Sequence, residues 1–408
     1  MTELPTIELD FTTPPPVPPA GVKRANELMA SGRLFRYGET SAQELDVAEL
    51  EIAFAESIGR RYCVAFNSCG ASMAAGLMAA GVSPGEPVLM NAFTLAPVPG
   101  AIVHAGADPV FVGITPDYLI DLEDLRSAAH RSGARYLLLS HMRGHIADMD
   151  QLTGVTDELG LTVIEDCAHT MGAGWRGRPT GTFGAAACFS TQAFKHVNSG
   201  EGGLLVTDDD DIAARAILLS GSYMLYGQHG TRPPDEALER HRFTTPNLSM
   251  RMSALAAAVA RPQIDLLNER AAIWNDRYAR LAELLAADPN IRVPDRHPDE
   301  QYVASSIQFS VDGLAEPTMT AWLSVAEEHG VHVKWFGRSG PVGFTSRYDD
   351  WRYAGEQTLD ATKHVLEGLC DMRIPLAMTE DDCQVVAQII RGALAATIEQ
   401  STNQPNSA

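Results

Sequence analysis

The sequence predicts an α/β protein: a large domain built on a mostly parallel sheet covered by helices, followed by a smaller α+β C-terminal domain. Three observations predict this. Short apolar runs alternate with helical spacings through the first half of the chain, the pattern of strands linked by crossover helices. A β-branched run at 162–164 ends in Glu165 and Asp166, as a buried parallel strand does when it delivers a carboxylate to its C-terminal edge. The chain has 408 residues, enough for two domains, and an amphipathic stretch at 264–286 reads as one long helix connecting them. The divisions expected are an N-terminal arm at 1–20, a large domain at 21–263, a small domain at 264–400 and a disordered tail at 401–408.

Taken in order, the first twenty residues contain T-T-P-P-P-V-P-P-A, which favours an extended, poorly packed arm: a disordered tail, or a segment lying across a partner subunit. Leu50, Ala53, Phe54 and Ile58 have helical spacing within 49–58. A strand at 63–66, the small-residue turn N-S-C-G-A-S and an Ala-rich helix at 71–80 follow. Such a turn offers free backbone N–H groups and a helix N-terminus to an anion, with Gly70 and Ala71 as the contacts. Strands at 87–91 and 108–114 flank a helical stretch compromised by Pro97 and Pro99. Residues 135–141 form a strand leading into H-M-R-G-H, where Arg143 either clamps a substrate carboxylate or phosphate or makes a surface salt bridge. A strand at 185–189, a Gly-rich turn at 200–203, a strand at 204–207 and a helix at 211–219 complete the alternation. Residues 227–243 read as a long polar loop. The second domain has strands at 302–311 and 331–334 and a closing helix at 382–398, with Trp335, Phe336 and Arg338 as candidates for lining a substrate pocket.

Composition narrows the function. Hydrophobic residues make up 45% and charged residues 20% of the chain, as in soluble globular proteins. A formal net charge of −21 would repel nucleic acid and anionic membrane surfaces. With no basic-then-apolar N-terminal segment and no apolar run near about 20 residues, a cytoplasmic enzyme is expected. Six scattered cysteines show no metal-ligand spacing, so neither a metal nor a disulfide framework is predicted.

The chemistry concentrates between 163 and 203. Ligand sites in open α/β sheets lie at the carboxyl ends of strands, and there Asp166, Ser190 and Lys195 follow one another. A lysine on a packed element loses solvation, which lowers its pKa and frees its amine to form a Schiff base with an aldehyde. A carboxylate facing a pyridine nitrogen keeps that ring protonated and electron-accepting. Glu165, next to Asp166 on the strand, points to the opposite face. The set suits pyridoxal 5'-phosphate.

The motifs E-D-x-A-H, F-S-x-x-x-x-K and G-E-G-G resemble those of the DegT/DnrJ/StrS-type sugar aminotransferases in order and spacing. The resemblance implies fold type I, the aspartate-aminotransferase-like fold with a seven-stranded sheet, and a homodimer with shared active sites. It makes Lys195 the Schiff-base lysine, Asp166 the pyridine partner, His169 a neighbour of the ring and Ser190 a phosphate ligand. Ser249 and Arg251, in N-L-S-M-R-M, would reach the neighbouring subunit's cofactor phosphate, with Asn247 as a substitute for Ser249. The R-Y-G turn at 36–38 either approaches an active site or is a surface turn. Leu95 stands where the family commonly has a ring-stacking aromatic, leaving Phe93, His169 or an apolar contact for that role. The expected activity is amino transfer from a donor such as L-glutamate or L-glutamine to a keto or aldehyde group of a sugar, cyclitol or related metabolite. A pyridoxal phosphate lyase or dehydratase, or a non-catalytic cofactor-bound sensor, is the alternative.

Overall fold

The structure is a computed structural model that describes residues 3–38, 41 and 44–403. The large domain runs α1 (Pro19–Ser31), α2 (Asp46–Ile58), β1 (Tyr62–Phe66), α3 (Cys69–Ala80), β2 (Pro87–Asn91), α4 (Pro97–His104), β3 (Asp108–Val112), α5 (Leu122–Ser132), β4 (Tyr136–Ser140), α6 (Met149–Leu159) and β5 (Thr162–Asp166). A small hairpin, β6 (Gly174–Trp175) and β7 (Arg178–Pro179), precedes β8 (Ala186–Ser190), β9 (Gly203–Thr207), α7 (Asp210–Ser220), α8 (Asp235–His241) and α9 (Ala254–Ile264). After α10 (Leu267–Ala286) come β10 (Glu300–Gln301), β11 (Ser306–Ser310), α11 (Glu316–Glu328), β12 (Lys334–Trp335), α12 (Asp360–Gly368), β13 (Leu369–Arg373) and α13 (Glu380–Asn403).

Seven strands form the main sheet in the order β1-β9-β8-β5-β4-β2-β3. Its neighbours are parallel except around β9, which pairs antiparallel with both β1 and β8. The helices α5, α6 and α7 are bracketed by their own sequence. Asp121, Asp148 and Asp209 each accept two backbone N–H bonds at the starts of α5, α6 and α7, and Gly133, Gly160 and Gly221 end them in the left-handed conformation. Register places Ser140 beside Asp166 and Asp166 beside Cys188, so β4, β5 and β8 end together at one edge. The small domain is a three-stranded antiparallel sheet, β11-β13-β12, backed by α10, α11 and α13. One apolar cluster runs from Leu137 and Leu139 of the large sheet to Trp274, Phe309 and Trp322, so the two parts share a core.

Several expectations need correction. The proline stretch is extended but not poorly packed: Phe11 is buried in the shared core, Ile7 and Pro5 bond His329, and Asn198 and Arg270 donate to the carbonyls of Pro15 and Pro16. Pro97 and Pro99 do not compromise α4, because they occupy its first turn, where an N–H has no helical partner to lose. The loop at 227–243 contains α8, which Asp235 and Glu236 favour at the positive end of its dipole. The helix expected at 264–286 is α10, which starts three residues later, Asp265 and Leu266 separating it from α9. At the C-terminus α13 extends through Asn403 into the expected tail; residues 404–408 lie outside those described.

Candidate active site

Alternation along β5 separates its two acids. Glu165 turns into the protein, where its carboxylate accepts from the backbone N–H groups of Gly181 (2.8 Å), Phe183 (2.7 Å) and Gly184 (2.8 Å) and lies 3.2 Å from His141 Nε2. These contacts hold its pKa below the usual carboxylate value against the opposing effect of burial. The nearby Cys167 makes a buried His141–Glu165–Cys167 trio, but Glu165 is already engaged in pinning the 181–184 turn. Asp166 turns the other way, into a pocket of about 500 Å³. Its Oδ2 accepts from Ser140 Oγ (2.7 Å), which in turn accepts from Thr94 Oγ1 (2.9 Å), and its Oδ1 accepts from the N–H of Ala168 (3.1 Å). The carboxylate is thereby fixed in orientation at the pocket wall.

Lys195 lines the same pocket, on a loop tied by bonds from Lys195 N to Gln192 O, Ala193 N to Gly200 O and Thr191 N to Gly202 O. Its Nζ lies 2.6 Å from His169 Nε2. Burial, and then the charge of Arg143, bring the Lys195 amine down to about 8, while Asp166 acts in the opposite direction. The same desolvation, with the Lys195 charge beside it, pushes His169 well below the usual histidine range, so the neutral ring accepts from the lysine.

The free N–H groups at the start of α3 lie one residue earlier than expected. Ser68 caps α3 by accepting from the N–H of Ala71 (3.1 Å), so Ala71 is already engaged and does not line the pocket. Ser68, Cys69 and Gly70 do line it, and the N–H groups of Cys69 and Gly70 belong to the helix's first turn, which has no helical acceptors. Ser190 lies on the same wall. Gly203 lets β9 pass this turn, since a Cβ there would collide with the backbone of Ser68 and Cys69.

Lys195, Asp166, His169, Ser190, Gly70 and Arg143 are therefore brought together, with Leu95 in the wall. Ser249 and Arg251 are not. Arg251 donates to Gly221 O (3.0 Å) and stacks near Phe35 and Tyr223, while exposed Ser249 bonds Asn247 beside a separate surface hollow. Trp335 does not line the pocket either: it is buried in the shared core and donates to Glu367 O (2.7 Å). Phe93, a candidate ring neighbour, packs instead against Tyr118 and Phe336. The R-Y-G turn is neither a pocket element nor a surface turn, because Arg36 is buried against Glu51 (2.8 Å) and His229. Arg143 is buried and paired with Asp371 (2.8 Å), which makes it an interior ion pair at the pocket wall rather than a surface one. Sequence reasoning missed Arg373, Gln192 and Phe194, all of which line the pocket. A signal existed for Arg373: D-x-R interrupts the otherwise apolar run of β13.

Residues 21–391 match the DegT/DnrJ/EryC1/StrS aminotransferase family. The L-glutamine:scyllo-inosose aminotransferase of Streptomyces griseus is 33% identical over 266 residues, 65% of this chain and 61% of that protein. This chain thus matches about three fifths of that relative's length. Among solved structures, 3-amino-5-hydroxybenzoic acid synthase superposes with a TM-score of 0.81 at 24% identity, over 97% of this chain and 100% of that one. Spr1654 from Streptococcus pneumoniae, in its PMP form, gives 0.80 at 17% identity over 96% and 100%. Both likenesses show the fold, type I. With the match spanning most of its length, the chain belongs to the DegT/DnrJ/EryC1/StrS aminotransferase family.

Proposed function

We propose that the chain is a pyridoxal 5'-phosphate-dependent aminotransferase, moving an amino group from a donor such as L-glutamate or L-glutamine to a keto or aldehyde group of a sugar, cyclitol or related small metabolite. The observation that carries this reading is one pocket holding a lysine amine lowered to about 8, an oriented carboxylate and a helix N-terminus. The donor set fits the cofactor at each end. The N–H groups of Cys69 and Gly70 and the Ser190 hydroxyl suit its phosphate, and Asp166 suits its pyridine nitrogen. When bound, pyridoxal phosphate supplies an electron-accepting ring and an aldehyde through which an amino group is received and passed on.

The protein's part is positional and proton-handling. Asp166, fixed by Ser140 and Ala168, would keep a proton on the ring nitrogen. Lys195 Nζ would hold the cofactor through its aldehyde and, when a donor amine takes its place, its freed amine would accept the proton leaving the donor's amine-bearing carbon. Neutral His169 keeps that amine within 2.6 Å of a hydrogen-bond acceptor. A homodimer completes the proposal: Phe35, Tyr223, Met224, Phe243 and Leu248 leave an exposed apolar edge beside Arg251 and Ser249, the two residues expected to serve a neighbouring subunit's cofactor phosphate. Among the described residues no helix is long and apolar enough to cross a membrane; a cytoplasmic location is part of the proposal.

The test is the visible spectrum of the cofactor-loaded protein during two separated half-reactions. Bleaching by L-glutamate or L-glutamine, and recovery on adding a keto sugar or cyclitol that gains the nitrogen, is expected. Release of ammonia or water with no aminated second product would replace amino transfer with a lyase or dehydratase reaction.

A further inference from the structure

Behind the Lys195 pocket, two cations and an amide share one carboxylate, and a third cation lies beside them. Asp371, fully buried on β13, receives Arg143 (2.8 Å), Lys334 (3.1 Å) and the amide of Gln308 (2.8 Å). Arg373 lies two residues along the same strand, hence on the same face. Among the described residues it has no carboxylate partner, and its guanidinium sits 3.7 Å from the centre of the Phe194 ring. The Nε of buried Arg143 likewise has no hydrogen-bond partner. The nearby acids do not pair with Arg373: Asp166, on the same pocket wall, is held by Ser140 and Ala168, Glu201 is exposed, and Glu327 is turned to His332 at 3.3 Å. A half-buried guanidinium left unpaired is costly. Burial and the neighbouring Arg143 charge both press the Arg373 pKa below its ordinary value.

Arg373 also joins two spaces. With Phe194 and Phe344 it lines both the Lys195 pocket and an adjoining cavity of about 480 Å³, whose far wall includes Thr12 of the N-terminal arm, Lys334 and Arg338. A substrate reaching Lys195 can therefore extend past Arg373 into a basic chamber.

We propose that Arg373, backed by Arg143 and Lys334, is a specificity-determining residue that binds a carboxylate or phosphate group of one of the two substrates, whose far end occupies the adjoining cavity. Guanidinium groups pair with either anion through two parallel N–H bonds, and here an arriving anion would relieve a positive cluster instead of desolvating a balanced one. The inference rests on the aminotransferase reading for the substrate's identity, but not for the anion site itself.

The experiment is calorimetric titration of the cofactor-loaded, full-length protein, its cofactor-phosphate site filled, with glutarate, a dicarboxylate carrying no amine to transfer, and with inorganic phosphate, for wild type, Arg373→Gln and Arg373→Lys. At least one anion should bind wild type, weaken about tenfold or more in Arg373→Gln and recover in part in Arg373→Lys, the loss of a charge-assisted pair being of that order. Stronger glutarate binding assigns a carboxylate; stronger phosphate binding assigns a phosphate. In the separated half-reactions Arg373→Gln should raise KM more for the anionic substrate than for the other, and Arg373→Lys should restore part of the difference. Thermal melts confirm that the variants are folded. If no anion binds wild type, or Arg373→Gln binds as well as wild type, the proposal is overturned. If the anion site behaves as expected while no donor changes the cofactor spectrum, the failure belongs to the aminotransferase reading.

Discussion

The depressed pKa of Lys195 gives the most quantitative prediction. With the amine at about 8 instead of the ordinary 10.5, roughly one lysine in ten is neutral at pH 7, against about one in three thousand, a gain of roughly 300-fold in reactive amine. Burial contributes most of this and the Arg143 guanidinium the next part. The neutral fraction rises with pH through about 8 and disappears below it. Competitive labelling of the cofactor-free protein with acetic anhydride, read on the Lys195 peptide by mass spectrometry against an added reference amine, should show an inflection near pH 8. Arg143→Met, which removes a neighbouring positive charge, should move the inflection upward. An inflection at about 10 or above in the wild type would refute the claim that the pocket activates this lysine.

Other consequences follow from the same geometry. Glu165→Gln should lower stability by about 3–5 kcal/mol in denaturant titrations, because it discharges a buried acceptor of three backbone N–H groups; the Lys195 inflection should stay where it is, since Glu165 faces the other way. Glu51 and Asp371 are each held at about 2 in the fold, below their ordinary 4.5 and 3.8. Stability they contribute is complete above those ordinary values and is lost as pH falls through about 2, by about 3 kcal/mol for Glu51 and about 2 kcal/mol for Asp371, visible as a falling denaturation midpoint that Asp371→Asn would flatten. Gly203→Ala should push β9 from the Ser68–Cys69 turn, lowering both stability and cofactor retention in a gel-filtration assay; retention equal to wild type would deny that turn a part in holding phosphate.

The strand-helix alternation was legible because the strands of the large sheet are short apolar runs, mostly buried, and the helices α5 and α6 between them carry their own caps. Asp166, Ser190 and Lys195 were legible because they close successive strands or their loops, where the sheet edge must bring them together. Trp335 misled because an aromatic near a strand end signals burial as readily as a pocket, and its indole found a backbone acceptor in the core. Ala71 misled because which N–H groups remain free depends on the rotamer of the Ser68 cap. The Asp371–Arg143–Lys334 cluster joins residues more than 200 positions apart, a convergence that local pattern does not encode. The arm's packing escaped for a related reason: its partners, His329, Asn198 and Arg270, come from distant parts of the chain.

The central claim is that Lys195 holds the cofactor. Incubating the protein with pyridoxal phosphate, reducing with borohydride and digesting should place one stable pyridoxyl adduct on the peptide carrying Lys195, and Lys195→Ala should lose both the adduct and the visible absorption band. An adduct spread over other lysines, or a band that persists in Lys195→Ala, would contradict the account.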